Sequence, residues 1–423
     1  MGRRTGKRGG IAPVALALAL VLAAPHVAAA YSVLAHEAII DAAWDASIVP
    51  TLRARFHPSP ADLKRARAFA YGGSLIQDIG YYPFSSRLFG NLTHYVRSGD
   101  FIEALLREST DVTEYAFALG ALAHYAADND GHPLAVNRAV PALYPKLRAR
   151  FGNDVTYAQS PAAHLKTEFG FDVVQVARGK YAADAYHDVI GFEVSKPVLE
   201  RAFQSTYGLE LKDVFSSLDL AIGTFRWTVS RTIPGMTKVA WELKNKEIVA
   251  LMPGVTGDTF RFTQTRAEYE KAWGTEYGRP GFVHKVLAGL FRIVPRFGPF
   301  KAFAFKPPTP ETERWFLDSF AKTVTQYRVL IDESSRPRPV LENRNFDTGR
   351  LVKAGDYPLV DATYARLVET LVKRQEAGAT IPRPLRANIM TFYANLDAPI
   401  ETRKHRKEWA RLLRDLDRIK PAG

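Results

Sequence analysis

The chain has 423 residues, 47% hydrophobic and 24% charged, with a formal net charge of +13 and no cysteine. Its size and apolar content mark a globular protein with one large core or two domains. The missing cysteines exclude disulfide staples, a lipidated N-terminal cysteine and thiolate metal sites, so any metal would be held by His, Asp, Glu and backbone atoms. The basic charge suits an anionic partner, such as a phospholipid surface or a polynucleotide.

Residues 1–30 begin MGRRTGKRGG, run apolar from Ile11 to Ala24 and end on Ala28-Ala29-Ala30. These are the basic, hydrophobic and small-residue regions of a secretory signal peptide, with cleavage expected after Ala30 and a secreted or periplasmic product. An uncleaved anchor is the alternative, but Pro13, Pro25 and His26 interrupt the run and leave it short of the about 20 apolar residues of a membrane span. Cleavage removes Arg3, Arg4, Lys7 and Arg8 with no acid, so the mature chain stays basic.

The mature chain opens YSVLAHEAIIDAAWD, with a free amine on Tyr31. His36 heads an apolar helical stripe of Ile39, Ile40, Ala43 and Trp44 that Pro50 is expected to end. Ser59-Pro60 with Asp62 predicts a helix to about Gln77, delivering Asp78 into the loop DIGYYP. A second loop, NLTHYVRSGD, presents His94. Thr110 to His132 predicts the central helix, in which Asp111 and Glu114 resemble a capping box and Phe117, Gly120, Ala121, His124 and Asp128 share one inward stripe.

An imidazole and a carboxylate four residues apart lie one above the other on a helix, and a buried aspartate is costly unless paired or bound to a metal. An isolated HxxxD still reads more readily as a core histidine bonded to its helix neighbour. The sequence DNDGHP is then expected to turn the chain, carrying Asp130 and His132. Ser160-Pro161 opens another helix, ending near Gly179, on which His164 and Glu168 repeat the four-residue spacing. Two such pairs count against the core-histidine reading. His187 has no suitably spaced acid and reads as structural.

Helical segments continue to about Lys246, including VLERAFQSTYG and a run through Leu218, Ile222 and Trp227. After a break at PGVTGD and a short helix in RAEYEKAWGTEYG, the stretch from Phe282 to Pro308 mixes large apolar with basic residues and contains no acid. That composition suits a membrane surface or a hydrophobic interdomain helix. Pro310–Asp332 reads as a helix, followed by two amphipathic helices near Leu359–Arg374 and Thr402–Ile419. The predicted organisation is a signal peptide (1–30), an all-α catalytic domain (31–250) and a helical accessory domain (251–423).

Tyr31, His36, Asp78, His94, His124, Asp128, His132, His164 and Glu168, in this order, resemble the zinc-dependent phospholipase C family of bacteria and, more distantly, the fungal zinc nucleases of the same all-helical fold. The resemblance spans roughly residues 31–245, and its most specific parts are the Tyr31–His36 start, LGALAHYAAD and HLKTE. It implies three zinc ions. One would take Asp78, His94, His124 and Asp128; another the Tyr31 amine and carbonyl, His36 and Asp128 as a bridge; the third His132, His164 and Glu168.

The resemblance further implies hydrolysis of a phosphodiester, with Asp78 orienting or deprotonating the attacking water and Asp128 bridging two ions. Phospholipid is the favoured substrate and polynucleotide the alternative, while a noncatalytic metal- or membrane-binding helical protein is a third class. No protein partner is implied. The chain departs from the family pattern in having about two residues fewer between the bridging Asp128 and His132, which lets Asp130 compete as a ligand. It also has Leu34, Ile79 and Leu92 where headgroup-recognising residues are expected, with Tyr81, Tyr82 and Phe84 the nearest aromatics.

Overall fold

A computed structural model of the protein describes residues 32–82, 84–177, 192–227, 245–246, 249, 305–334 and 340–420. The signal peptide, Tyr31, His187, the expected 250/251 boundary and most of the basic apolar stretch lie outside the described residues.

Helix α1 (Val33–Ala43) passes through a π turn, Trp44–Ile48, into α2 (Val49–Phe56). Pro50 therefore sits in the first turn of a new helix, where its missing N–H costs nothing. Helix α3 (Pro60–Leu75) carries both halves of a capping box between Ser59 and Asp62. A 3-10 turn (Gln77–Tyr81) follows, then α4 (Arg87–Tyr95), α5 (Ser98–Glu108) and the central α6 (Val112–Gly131).

The chain continues through a π turn (His132–Val136) into α7 (Asn137–Leu143), α8 (Pro145–Phe151), α9 (Pro161–Ala177), α10 (Lys196–Tyr207), α11 (Leu211–Val214) and α12 (Leu218–Trp227). Beyond residue 305 come α13 (Pro310–Ser334), a two-residue antiparallel pair β1 (Arg344–Asn345) and β2 (Arg350–Leu351), α14 (Pro358–Glu376), α15 (Arg383–Phe392) and α16 (Arg406–Ile419). The fold is all-α, with strand among the described residues confined to that pair.

Several local expectations are corrected. His94 lies on α4 and not in a loop, because Ser86 caps the helix by accepting from the Phe89 N–H and Phe89 and Leu92 anchor its inner face. DNDGHP is no turn: the extra residue of a π turn absorbs Pro133, and the helix runs on through His132. Asp111 caps α6 by accepting from the Thr113 and Glu114 N–H groups, while the Glu114 carboxylate accepts from Thr110 instead of closing the box on Asp111. Nor does α6 show a single inward stripe, since every residue from Glu114 to Asp128 is buried.

The position of α6 is set by a close backbone crossing with α3. A Cβ on Gly120 would stand 2.0 Å from the Ala70 carbonyl oxygen, and one on Gly73 would stand 1.9 Å from that of Phe117. Only hydrogen fits between the two helices here. The approach lets the Gln77 side chain donate to the Ala121 carbonyl at 3.2 Å and brings the Ser74 carbonyl to His124.

The C-terminal helices have no core of their own. Phe316, Tyr327, Tyr357 and Leu367 belong to the same continuous cluster as Phe117, Leu119 and Ile39. The Tyr327 hydroxyl donates to the Leu119 carbonyl at 2.8 Å, and the Asn343 side chain accepts from the Gly99 and Asp100 N–H groups at the start of α5. The described residues between 305 and 420 thus share one apolar cluster with the helices of residues 32–227.

Gly120→Ala is expected to destabilise the protein by about 3 kcal/mol or more, at the upper end of overpacking, because the obstructing atom is backbone that no rotamer change can move. Denaturant unfolding of the two proteins checks this, and site-directed loss of metal should accompany it because His124 rides on the same helix.

Candidate metal centre

Eight of the nine residues proposed as ligands lie in the described part of the chain, and none of the eight exposes more than 2% of its surface. They form three groups whose ligand atoms lie within 4.8 Å of one another: His36, His124 and Asp128; Asp78, His94 and His124; and His132, His164 and Glu168. His36 comes from α1, Asp78 from the 3-10 turn, His94 from α4, His124 and Asp128 from α6, and His164 and Glu168 from α9. His132 opens the π turn that extends α6, which puts it in register with Asp128 one helical turn earlier. Asp130 instead pairs with Lys322 of α13 at 2.8 Å and does not compete.

Backbone carbonyls fix three of the imidazoles. Nδ1 of His94 donates to the Gly90 carbonyl at 2.7 Å, Nδ1 of His124 to the Ser74 carbonyl at 2.9 Å, and Nε2 of His164 to the Val155 carbonyl at 2.5 Å. A carbonyl can only accept, so each ring carries a proton on that side and directs its other nitrogen into the centre, where that nitrogen becomes a lone-pair donor once it is free of any second proton. The Nε2 atoms of His94 and His124 consequently face each other at 3.4 Å.

The carboxylates complete the pattern. Asp128 places Oδ1 at 3.6 Å from His36 Nε2, and Oδ2 at 3.2 Å from His124 Nε2 and 3.6 Å from His94 Nε2. Asp78 Oδ1 lies 3.4 Å from His94 Nε2, with Oδ2 3.9 Å from His36 Nε2. Glu168 Oε1 is 3.5 Å from His164 Nδ1. Two ligands bound at 2.0–2.1 Å to one tetrahedral zinc are about 3.4 Å apart, so these separations suit a shared ion and are mostly too long for hydrogen bonds.

Both carboxylate oxygens of Asp78, Asp128 and Glu168, and Nδ1 of His132 and His164, have no hydrogen-bond partner although fully enclosed. Buried polar atoms left in this state are costly. Divalent cations would satisfy them, and the donor set of imidazole nitrogens and carboxylate oxygens fits zinc.

Without a cation, the ionisation of the centre is a compromise. Burial lowers His36, His132 to about 3 and His164 to about 4, while it raises Asp78 and lifts Glu168 well above the usual carboxylate range. Desolvation also works against the His124 cation, but Asp128 and Asp78 outweigh it and carry His124 up to about 9. Asp128 is driven the other way: burial opposes its charge, but His124 beside it holds the carboxyl well below its ordinary value.

One residue of the site lay outside the sequence reading. Asp347, in the turn between β1 and β2, sets Oδ1 at 3.5 Å from His132 Nε2. Asn345, Phe346, Asp347, Thr348 and Gly349 make a compact turn whose Phe346 ring packs on His94 and His124 at 5.3 and 6.0 Å. The Asp-Thr-Gly run is a turn signal, but nothing local to it indicates which part of the fold it meets. Of the aromatics near DIGYYP, Tyr81 packs edge-on against His94 at 5.3 Å, Tyr82 packs on Phe225 at 4.2 Å, and Phe84 is exposed.

An all-helical body that buries three convergent groups of imidazoles and carboxylates offers a candidate metal centre of the kind that metal-dependent hydrolases use. The profile of a family described as zinc dependent phospholipase C matches residues 35–217, and this part of the chain is similar to that family. No curated protein and no solved structure matches the chain. The family and the three ligand groups together support a zinc-dependent phosphodiester hydrolase.

Zinc binding at neutral pH is expected to release a proton, because His124 carries one on each ring nitrogen in the metal-free protein and must surrender that on Nε2 to act as a ligand. With His124 protonated below about pH 9, zinc affinity should rise with pH and level off above that value. Zinc titration of chelator-stripped protein in weak buffer with a pH indicator measures both effects, and a proton-neutral titration would contradict the arrangement.

Proposed function

We propose that the protein is an exported phospholipase C that holds three zinc ions and hydrolyses the headgroup phosphodiester of phospholipids. The observation that carries this reading is Asp128, whose two oxygens face two different ligand groups, Oδ1 toward His36 and Oδ2 toward His94 and His124. A carboxylate so placed can hold two cations close enough to engage one phosphate.

Zinc in such a set supplies Lewis acidity toward phosphoryl oxygens and lowers the pKa of water toward 7. Asp78 commits Oδ1 to the His94 side and turns Oδ2 toward the His36 side. In this reading it takes a proton from the water between the two groups and aims the water oxygen at phosphorus. A bond forms from that oxygen to phosphorus as the bond from phosphorus to the glycerol oxygen breaks. The glycerol oxygen takes up a proton, giving diacylglycerol and a phosphorylated headgroup, and no covalent intermediate with the protein is needed.

Polynucleotide is the second substrate class, favoured by a chain that stays basic after cleavage, its net charge of +13 falling by the four cations of residues 1–30. Vesicles of phosphatidylcholine, vesicles of phosphatidylethanolamine and single-stranded DNA, each incubated with zinc-loaded protein, separate the two. Release of phosphorylated headgroup supports the proposal. Cleavage of DNA alone replaces phospholipase with nuclease, and zinc content with no turnover of either class sinks catalysis.

Asp128→Asn keeps the side-chain volume but removes the charge shared by two groups. It is expected to cut hydrolysis by more than about 100-fold, beyond the usual effect of residues that only support ligands, and to lower zinc content in the same preparation. Full zinc and full activity in this variant would make Asp128 an ordinary helix acid.

The α-amino group of Tyr31, once freed by cleavage after Ala30, is the proposed further ligand beside His36. Such an amine has a pKa near 8 and yields its proton to a nearby zinc, whereas a peptide nitrogen offers no lone pair. Protein starting at Tyr31 should therefore hold more zinc and hydrolyse faster than protein with one additional Ala before Tyr31. Equal zinc content and equal rates for the two would remove the N-terminus from the site.

A further inference from the structure

Asp347 lies outside residues 35–217 and outside the three ligand groups, yet it reaches the metal centre with 1% of its surface exposed. Its carboxylate is held at one end: Oδ2 accepts from the Tyr95 hydroxyl at 2.9 Å and from the Tyr357 hydroxyl at 2.5 Å. Its main chain is held too, with the Asp347 carbonyl accepting from Asn137 at 2.8 Å and its N–H donating to the Asn345 side chain at 3.0 Å. The neighbouring Phe346 N–H donates to the His94 carbonyl at 3.2 Å. This clamping leaves Oδ1 facing His132 Nε2 at 3.5 Å.

His132 differs from His94, His124 and His164 in having no backbone carbonyl among its hydrogen-bond partners. Its Nδ1 is buried without a hydrogen-bond partner. An imidazole that ligates through one nitrogen keeps its proton on the other, and the acceptor of that proton sets both tautomer and ring orientation. We propose that Asp347 is the positioning residue for His132: it accepts the Nε2 proton, so that Nδ1 presents its lone pair to the ion shared with His164 and Glu168. At 3.5 Å the pair stands beyond ordinary hydrogen-bond length, and on this proposal the contact shortens when the ring ligates an ion. The β1–β2 turn thereby becomes a functional wall of the centre, supplied by a segment beyond the family match. The inference rests on the assignment of an ion to His132, His164 and Glu168.

The test compares wild-type protein, Asp347→Asn, His132→Ala and Tyr357→Phe, each loaded with zinc and then titrated with a chelator while zinc retained per chain and melting temperature are followed. Asn at 347 keeps the shape and one accepting oxygen but loses the charge. One ion is expected to leave Asp347→Asn at a 10- to 100-fold lower chelator strength, the range for residues that support a ligand, while the others leave as in the wild type. Tyr357→Phe, which removes one hydroxyl from the far oxygen but keeps the carboxylate at His132, should change that release by less than about threefold. If His132→Ala holds as many ions as the wild type, the ion assignment itself fails. If His132→Ala lacks one ion but Asp347→Asn releases all its zinc as the wild type does, or loses every ion together with a falling melting temperature, the positioning role fails.

Discussion

The constraint on which the structure depends is the burial of five imidazoles and four carboxylates, those of Asp78, Asp128, Glu168 and Asp347, at 2% exposure or less. Taking a carboxylate out of water costs several kcal/mol unless an opposite charge and hydrogen bonds replace the solvent. In the metal-free protein the cost is reduced by neutralising groups: Glu168 and Asp78 shift upward, and His36, His132 and His164 shift downward. The contact of His124 with Asp128 goes the other way and retains opposite charges. Divalent cations reverse this, since each can be met by several ionised carboxylates and neutral rings at once.

Such a centre works only if the rings cannot turn, and the fold supplies their restraints from the backbone. The carbonyls of Gly90, Ser74 and Val155 come from α4, α3 and the connection between α8 and α9, and each takes the outward proton of one histidine. The Ser74 contact depends on the glycine crossing of α3 and α6, because any Cβ at Gly73 or Gly120 would push the carbonyl away from His124. A packing feature of the core is therefore also a feature of the site. The same crossing explains why α6 is buried on all sides: it is the axis about which the ligand-bearing helices are arranged.

Much of this was legible in the sequence because it is local. The pairs His124/Asp128 and His164/Glu168 announce themselves by a four-residue spacing that one helix face enforces, and Ser59-Pro60 and Ser160-Pro161 mark helix starts by capping chemistry. Boundaries near special geometry were less legible. DNDGHP has the composition of a turn, yet the helix continues, since a π turn tolerates Pro133 and keeps His132 in line with Asp128. NLTHYVRSGD reads as a loop, whereas Phe89 and Leu92 bury one face of a nine-residue helix that carries His94.

What could not be read was long-range. Asp347 meets Tyr95 across 252 positions of sequence, and no spacing rule links the turn in which it sits to a helix so distant. The separation of the chain into a catalytic and an accessory part followed from composition, which marks where a pattern stops but not which surfaces share a core. Once Tyr327 and Tyr357 are seen inside the same apolar cluster as α6, the C-terminal segment has a physical role toward the ions. Phe346 covers two of the ligand rings, and excluding water around them lowers the local dielectric and strengthens every interaction between a ligand charge and a cation. The segment that carries no family signature thus helps set the electrostatics in which the ligands of the family segment operate.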